Sequence, residues 1–428
     1  MTAVTNRATV PSSGGAPAAG PVPVADRRLS ILLGLEGLAL GGCPINALDL
    51  GRTLRARGHR VEVFAIDEQV RTSLLPYAER SGFRPTLLPQ RSCTLARARQ
   101  IRRLIDASSA DVVHVFGPWL GRAATIAAAG LRPRSAVVTN WMMENVPYVP
   151  RRTPLILGTR RLRDEAEGLQ GRKVWLMEPP VDLEADTADP AAGRRFREEI
   201  GVAPDELAVV VVGRVDAHLK EEGLRHAIGA VDRLDRPGLR LVIVGDGDAF
   251  DRVRSEAGRV NARLGRPAVV LAGSRQDPRP AYDAADVALG MGGSALRALA
   301  HARPLVVLGQ RGFAATFDPT TRDHFAEHGF FGETPVADPV GHLAGQLVGL
   351  LDPVRRSELA AYGLEEVQRY GLHAGAVQLE ALYREELATL PRPARRLADA
   401  GVLTLRAAGH EARRAGRRWT GADPARQP

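Results

Sequence analysis

The stretch Val209–Lys220 reads VVVVGRVDAHLK, and the fold assignment starts from it. Four successive valines are typical of a buried parallel strand, which the glycine at 213 ends. Two cations, Arg214 and Lys220, follow within a few residues. Lys220 is one of only two lysines among the 58 Lys and Arg residues, Lys173 being the other. The pattern predicts an anion-binding loop, with a solvated loop after a core strand as the alternative.

Length and composition indicate a folded protein of two domains. A chain of 428 residues with 44% hydrophobic content is long enough for two cores with tails. Only two cysteines, Cys43 and Cys93, are present, which favours a reducing compartment over a disulfide framework. The first residues lack the apolar core of a signal peptide, and no apolar run reaches the roughly 18 residues of a membrane span. We therefore expect a cytoplasmic protein.

The positive charge is concentrated at the C-terminal end. The net charge is +9, and residues 392–418 contain eight arginines against two acids. Because the rest is nearly balanced, the charge does not indicate a nucleic-acid-binding surface. Three glycines weaken any helix there, so we expect a solvated, partly disordered tail. The alternative is a weak contact of this basic tail with anionic lipid, which would place the protein at the inner membrane face.

Short apolar strands alternate with helical patterns in two successive series. This alternation predicts an α/β fold of two Rossmann-like, doubly wound parallel-sheet domains that face each other across a cleft. The predicted strands of the first series are Leu29–Leu35, Val61–Ile66, Asp111–Phe116, Ala136–Asn140 and Val174–Met177. Those of the second are Ala208–Gly213, Leu239–Gly245, Ala268–Leu271, Val287–Leu289 and Pro304–Val307. Helices are predicted between them, at Ile45–Arg57 and near 222–234, 249–264 and 294–302.

The stiff segment Glu178–Asp182 contains two prolines, and we place the domain junction there. The prediction divides the chain into a disordered tail, an acceptor domain, a donor domain, a helix that packs back toward the first domain, and a basic tail. These segments are residues 1–27, 28–180, 181–372, 373–391 and 392–428.

Two glycine-rich loops follow predicted strands and lead into helices. Gly41 and Gly42 precede a helix in the first domain, and Gly292, Gly293 and Ser294 open one in the second. Glycines let the backbone approach an anion at a helix N-terminus, and we expect Ser294 to cap its helix. Each loop taken alone is more typical of a tight turn than of an anion site. Together with Arg214 and Lys220, they favour a diphosphate held between the domains, whereas the missing Gly-x-Gly-x-x-Gly spacing disfavours NAD.

A series of segments resembles the retaining glycosyltransferases of the GT-B fold, family 4. The resemblance covers roughly residues 28–390. In the first domain it is carried by Leu48–Val61 and Asp111–His114. In the second domain it is carried, in the expected order, by Val211–Val215 with Lys220 and Gly223, Leu241–Gly247, Leu271–Gly273, Tyr282–Val287 and Ala298–Val306.

The resemblance implies transfer of a sugar from a nucleotide-diphosphate donor to an acceptor with the anomeric configuration retained. Arg214 and Lys220 match the catalytic pair that neutralises the leaving diphosphate. The amides near the two helix starts would take further oxygens, so neither a metal nor a cofactor is expected. The remaining residues assigned to the diphosphate are Gly41, Gly42, Gly292, Gly293, Ser294, Ala295 and Arg297. The nucleotide base is expected at Gly273, Ser274 and Arg275.

The chain departs from the family pattern at three positions. Two family glutamates, which contact the donor sugar and the ribose, align with Leu289 and Arg297. Arginine cannot accept hydrogen bonds from a ribose, although it can hold a phosphate oxygen or pair with an acid elsewhere. The family strand often ends in His-x-His, whereas here Phe116 follows His114 and Val115. His114 is therefore either a satisfied core histidine or a contact to the sugar or acceptor.

These losses leave two functional classes open. The first is an active glycosyltransferase of the hexosyltransferase type, with a small-molecule, glycan or lipid-linked acceptor, in carbohydrate or secondary-metabolite biosynthesis. The second is a catalytically silent protein that binds sugar nucleotides or a partner on the same fold. A nucleotide-sugar enzyme without transfer, such as an epimerase, is disfavoured by the matches at 241–247 and 298–306.

Overall fold

The computed structural model describes residues 27–39, 41–68, 73–146, 148–168 and 173–419, with side chains to residue 412. The predicted N-terminal tail lies outside these ranges except for Arg27, and so do residues 420–428. The described residues form two sheets with helices on both faces. The predicted fold class, two Rossmann-like domains across a cleft, is confirmed.

The first domain contains a seven-stranded parallel sheet in the order β3-β2-β1-β4-β5-β6-β7. Its strands are β1 Ser30–Leu35, β2 Arg60–Asp67, β3 Thr86–Pro89, β4 Val112–Phe116, β5 Ser135–Asn140, β6 Leu155–Leu157 and β7 Val174–Leu176. Its helices are α1 Gly42–Ala56, α2 Leu75–Arg80, α3 Thr94–Ser108, α4 Gly121–Ala128 and α5 Arg160–Glu167. The strand order reverses between β1 and β4, which is where such sheets bind ligands.

The second domain contains a six-stranded sheet in the order β10-β9-β8-β11-β12-β13. Its strands are β8 Leu207–Val212, β9 Leu239–Val244, β10 Val269–Gly273, β11 Val287–Gly290, β12 Leu305–Leu308 and β13 Ala314–Thr316. The helices are α6 Pro190–Ile200, α7 Glu221–Leu234, α8 Phe250–Leu264, α9 Arg279–Ala284, α10 Gly293–Ala300, α11 Arg322–His328, α12 Pro339–Val348 and α13 Pro353–Val367. One detail differs from the prediction: β13 is antiparallel to β12.

The valine run of β8 is buried on both faces of its sheet. Val209 and Val211 pack into the core beneath α7 and α8, while Val210 and Val212 pack into the core on the other face. Each fully buried valine contributes roughly 1.5–3 kcal/mol relative to an exposed one. The absence of polar alternation in the sequence thus reflects a strand with helices on both sides.

The chain crosses between the domains twice. Residues 177–189 leave the first sheet, and Val181 forms a parallel bridge with Gly371 where the chain returns. The returning segment becomes α14, Leu372–Ala388, which packs against α1. On this helix, Tyr383 is fully buried in the first domain's core, and Glu380 is 2.8 Å from the guanidinium of Arg57. The first domain therefore includes a helix from the far end of the chain.

The basic C-terminal segment is helical, which corrects the expectation of a partly disordered tail. Helix α15 spans Pro393–Trp419 and packs on α3 and α4 of the first domain. Ala407 is buried there, and Glu411 accepts a hydrogen bond from the amide of Thr94 at 2.7 Å. Docking on two helices outweighs the roughly 1 kcal/mol that each interior glycine costs. None of the described helices is long and apolar enough to cross a membrane.

Candidate functional site

The loop after β8 folds its lysine back over the end of the strand. Gly213 has φ +157°, and a Cβ atom there would lie 2.3 Å from Nζ of Lys220. Glycine is therefore required for this approach. Burial lowers the pKa of Lys220, Arg214 lowers it further, and Asp216 opposes both effects. An anion placed beside the ammonium would stabilise its charged form.

A small cavity brings the predicted cations together with the second glycine-rich loop. Arg214 and Lys220 line it from the β8 side, and Gly290, Met291 and Ser294 line it from the β11 side. These residues follow neighbouring parallel strands, so their loops meet at one edge of the sheet. The cavity thus joins two segments that are about 70 residues apart in sequence.

The start of α10 differs from the prediction in one respect. Gly292, with φ +54°, is the N-cap, and the hydroxyl of Ser294 donates to the carbonyl of Met291 at 2.9 Å instead of capping the helix. The amides of Ser294, Ala295 and Leu296 already bond to carbonyls of the same turn. Among the described residues, this leaves Gly293 as the amide at this helix start without a protein acceptor. The loop therefore offers an anion fewer amides than its glycines suggest.

Arg214 connects the second domain to the first across the cleft. Its Nη2 atom lies 2.8 Å from where a Cβ atom of Gly41 would be, so a side chain at 41 would displace the guanidinium. Gly42, the first residue of α1, has open space beside it. Arg214 is also close enough to Glu68 to oppose the rise in pKa that burial causes in that carboxyl. The three predicted parts of the diphosphate site are thus adjacent: the Gly41–Gly42 loop, Arg214 with Lys220, and the Gly290–Ser294 turn.

Arg297 lies elsewhere, in a largely buried ion pair. Its Nε atom is 3.2 Å from Asp186, and the side chains of Arg297 and Asp186 are only 16% and 8% exposed. His301 stacks on Tyr282, with Nδ1 2.7 Å from Asp283 and Nε2 3.9 Å from the same Asp186. Leu289, at the other lost glutamate position, is buried in β11. Arg297 is not among the residues that line the cavity of Arg214 and Lys220.

His114 is a satisfied core histidine, which is the first of the two roles that the sequence left open for it. It is fully buried, with Nδ1 2.6 Å from the Tyr383 hydroxyl and Nε2 2.7 Å from the Thr139 hydroxyl. Burial lowers its pKa to about 3, so the ring is neutral. Both nitrogens are occupied, and the histidine joins α14 to the first sheet.

The predicted base-binding segment follows β10. Gly273 ends that strand with φ +70°, and its carbonyl accepts a hydrogen bond from the amide of Gly245. The guanidinium of Arg275 pairs with Glu199 at 2.7 Å and lies over the ring of Phe196. Ser274 lies between Gly273 and Arg275 in sequence. The role of this segment toward a base stays a prediction.

Two acids near the cleft, Glu36 and Glu68, were missed by the sequence analysis. Glu36 directly follows β1, and its Oε1 accepts hydrogen bonds from the amides of Trp119 and Leu120. Burial, together with the charge of Glu68, raises the pKa of Glu36 to about 7 against the opposing hydrogen bonds. The pKa of the nearby Cys43 thiol is raised to about 12 by burial and by Glu36. An acid immediately after the first strand, at the switch point of the sheet, was the available signal.

In the part of the chain that the structure describes, no group of three or more His, Cys, Asp or Glu side chains is arranged to hold a metal ion. The chain does match known families in both domains. Residues 40–183 match the model described as Glycosyltransferase Family 4, and residues 206–351 match the one described as Glycosyl transferases group 1. No curated protein sequence matches the chain.

Solved structures share the fold at low sequence identity. HepE of Anabaena, in complex with UDP and glucose, has a TM-score of 0.65 and 16% identity, over 85% of this chain and 100% of that one. A glycosyltransferase from Rickettsia africae has a TM-score of 0.65 and 14% identity, with the same coverage. The pneumococcal O-GlcNAc transferase GtfA, in complex with UDP and GlcNAc, has a TM-score of 0.60 and 10% identity, over 85% and 100%. These identities support a common fold and nothing finer.

Proposed function

Because the chain is a GT-B-fold glycosyltransferase, with a family 4 domain at residues 40–183 and a group 1 domain at residues 206–351, we propose that it transfers a hexose-type sugar from a nucleotide-diphosphate sugar to an acceptor hydroxyl. In this proposal the anomeric configuration is retained and no metal takes part. The observation that carries it is the cavity shared by Arg214, Lys220 and the Gly290–Ser294 turn, with Gly41 across the cleft.

The chemistry follows from where charge develops. Cleavage of the glycosidic bond leaves negative charge on the diphosphate, and positioned cations stabilise that charge more than the ground state. The Lys220 ammonium lies over Gly213 at the end of β8, on the side where the diphosphate would bind. Arg214 would contact the diphosphate from the side of the first domain. In the retaining mechanism proposed here, the acceptor hydroxyl attacks the sugar and the leaving phosphate takes its proton.

The experiment is a donor panel followed by product analysis. We expect one class of nucleotide sugar to raise the melting temperature by several degrees, as a ligand of the folded state does. UDP sugars are the first to test, because HepE and GtfA are known in complexes with UDP. The product should keep the donor's anomeric configuration by NMR, and transfer should persist in EDTA. No stabilisation by any uridine, guanosine, thymidine or adenosine diphosphate sugar would contradict the proposal.

The silent binding protein is the second candidate, and the lost glutamates favour it. Leu289 is a core residue and Arg297 is paired with Asp186, so neither supplies the acid of the family pattern. Release of free nucleoside diphosphate from a bound donor separates the candidates. A donor that binds but is never cleaved, with any acceptor or with water, would support the silent protein.

We further propose a weak contact between α15 and anionic lipid at the inner face of the membrane. Leu397, Val402 and Leu405 are exposed on this helix, Leu405 at 74%. Leu131, 78% exposed, lies beside its first turn, where Arg396 donates to the carbonyl of Leu131. Exposed leucines among arginines are typical of interfacial helices.

The lipid contact is tested by sedimentation with vesicles. Wild type should sediment with phosphatidylglycerol vesicles and much less with phosphatidylcholine vesicles, while Leu405→Ser should sediment less with both. Val354→Ser, at a similarly exposed apolar position of the second domain, is the control. Equal sedimentation of wild type and Leu405→Ser would contradict the contact.

A further inference from the structure

Two exposed aromatic rings lie beside the cleft on the first domain. Trp119 is 55% exposed and Tyr148 is 41% exposed, and their ring centroids are 4.2 Å apart at an angle of 43°. We call this pair the aromatic shelf. Trp119 lies in the turn Pro118–Leu120 between β4 and α4, at the switch point of the first sheet. Large apolar rings left in water at the ligand-binding edge of a fold indicate a binding surface.

Glu36 is held at the base of the shelf by the backbone of the same turn. Its Oε1 accepts from the amides of Trp119 and Leu120, and within the described ranges Oε2 has no hydrogen-bond partner. A Cβ atom at Gly117, where φ is +121°, would lie 2.0 Å from the carboxyl carbon. Because only glycine accommodates that conformation and that closeness, the turn is shaped around the carboxylate.

The carboxylate lies between the shelf and the cations. A Cβ atom at Gly37 would lie 1.9 Å from Oε2 of Glu68, and the charges of Glu36 and Glu68 act on each other. The charge of Arg214 acts on Glu68, and the guanidinium of Arg214 lies beside Gly41. A ring on the shelf would therefore have Glu36 on the side that faces the proposed donor site.

We propose that the aromatic shelf and Glu36 bind the acceptor as a saccharide ring, with an apolar C–H face on Trp119 and a hydroxyl donating to Oε2 of Glu36. This inference rests on the proposed transferase function. The negative face of an aromatic ring attracts C–H groups, which a sugar ring presents and a carboxylate or phosphate does not. Two neighbouring carboxylates also repel anions. The acceptor ring is therefore neutral or aminated near its reacting hydroxyl.

Acceptor binding should depend on the ionisation of Glu36. The groups that face it are Glu68 and Cys43, with Arg214 beyond Glu68. An ionised carboxylate accepts the acceptor's hydrogen bond better than a carboxylic acid, so binding tightens as pH rises through about 7. Glu36→Gln should remove this dependence.

The test has one arm without turnover. Methyl glucoside and glucosamine should change the tryptophan fluorescence of wild type in a saturable way, and this change should be absent in Trp119→Ala. Glucose 6-phosphate should bind at least tenfold more weakly. Leu87→Ala, which also removes an exposed apolar side chain of this domain, is the control. The inference would be overturned if the sugars caused no saturable fluorescence change in wild type, or if Trp119→Ala responded as wild type does. It would also be overturned if phenol caused a saturable change and the sugars did not.

The second arm uses turnover with a glycoside acceptor. Trp119→Ala should raise the acceptor KM tenfold or more and leave the donor KM within about twofold, and Glu36→Gln should flatten the pH profile of acceptor kcat/KM. An acceptor KM that stays at the wild-type value in Trp119→Ala would overturn the shelf. Failure of wild type to bind any donor would instead contradict the proposed function, and the fluorescence arm would still decide the shelf.

Discussion

Arg214 and Arg297 both belong to the second domain, and they lie in opposite environments. Arg214 is exposed at the cleft beside Gly41 and lines a cavity with Lys220. Arg297 is only slightly exposed and is paired with the buried Asp186. One arginine is thus positioned to contact a ligand, whereas the other stabilises the segment that follows the domain junction. The difference shows that the charge of a side chain does not by itself distinguish a ligand-binding position from a structural one.

The largest expected effect is on stability, at Arg297. Arg297→Ala removes the guanidinium from buried Asp186 and leaves it only the more distant His301 ring, and loss of one partner of a buried pair typically costs 3–5 kcal/mol. Chemical denaturation of the purified variant measures this loss. Arg275→Ala, which breaks a partly exposed pair, should cost less than about 1 kcal/mol. Similar losses in the two variants would contradict a special structural role for Arg297.

The next effect is on turnover, at the cavity. Lys220→Met keeps the length of the side chain and removes its charge, so we expect kcat/KM for the donor to fall by about 10²–10³. Stability should not fall, because burial already disfavours the lysine's charge. Steady-state kinetics and a thermal melt measure both quantities. Arg225→Ala, an exposed arginine on the neighbouring helix, should behave as wild type.

A third prediction concerns pH and Glu36. Burial raises the pKa of Glu36 in the folded protein to about 7 from its usual value of about 4.5, so ionisation costs the folded state stability. This cost is absent below about pH 4.5, increases as the pH rises, and reaches its full value above about pH 7. Glu36→Gln should therefore gain stability relative to wild type as the pH rises from 5 to 8, by roughly 2–3 kcal/mol at about 1.4 kcal/mol per unit of pKa difference. Denaturation at the two pH values measures it, and a gain that shrinks toward pH 8 would contradict the assignment.

The smallest effect is expected where an acid opposes Arg214. Glu68 lies within reach of its charge, so Glu68→Gln should leave Arg214 more available for the donor diphosphate. Partly exposed charge pairs are worth about 0.2–1 kcal/mol, which corresponds to a donor affinity up to about fivefold higher. Calorimetric titration with the donor measures it. Weaker donor binding in this variant would show that Glu68 supports the site.

Sequence patterns predicted most of the fold because the central strands are long apolar runs. The structure also contains β3, β6 and β13, which the prediction lacked. The first includes a proline and is mostly exposed, and the other two have three residues each. Strands this short carry no clear periodicity. The helix α15 was missed because its stability comes from docking, which propensity does not report.

The candidate site was predictable where it depends on strand order alone. Arg214, Lys220 and the Gly290–Ser294 turn follow neighbouring strands, so the topology brings them together. The partners of Arg297 and His114 were not predictable. Asp186 and Tyr383 are 111 and 269 residues away from them and approach only when the linker and α14 pack. No local pattern contains that information.

The most direct test compares binding of a nucleoside diphosphate with binding of its nucleoside by calorimetry. Wild type should prefer the diphosphate, and Arg214→Ala and Lys220→Met should each reduce that preference by about tenfold or more, since hydrogen bonds to charged groups contribute about 1.5–3 kcal/mol. Arg297→Lys, which keeps a cation beside Asp186, should retain the preference. If Arg214→Ala and Lys220→Met keep the wild-type preference while Arg297→Lys loses it, the contrast between the two arginines is wrong.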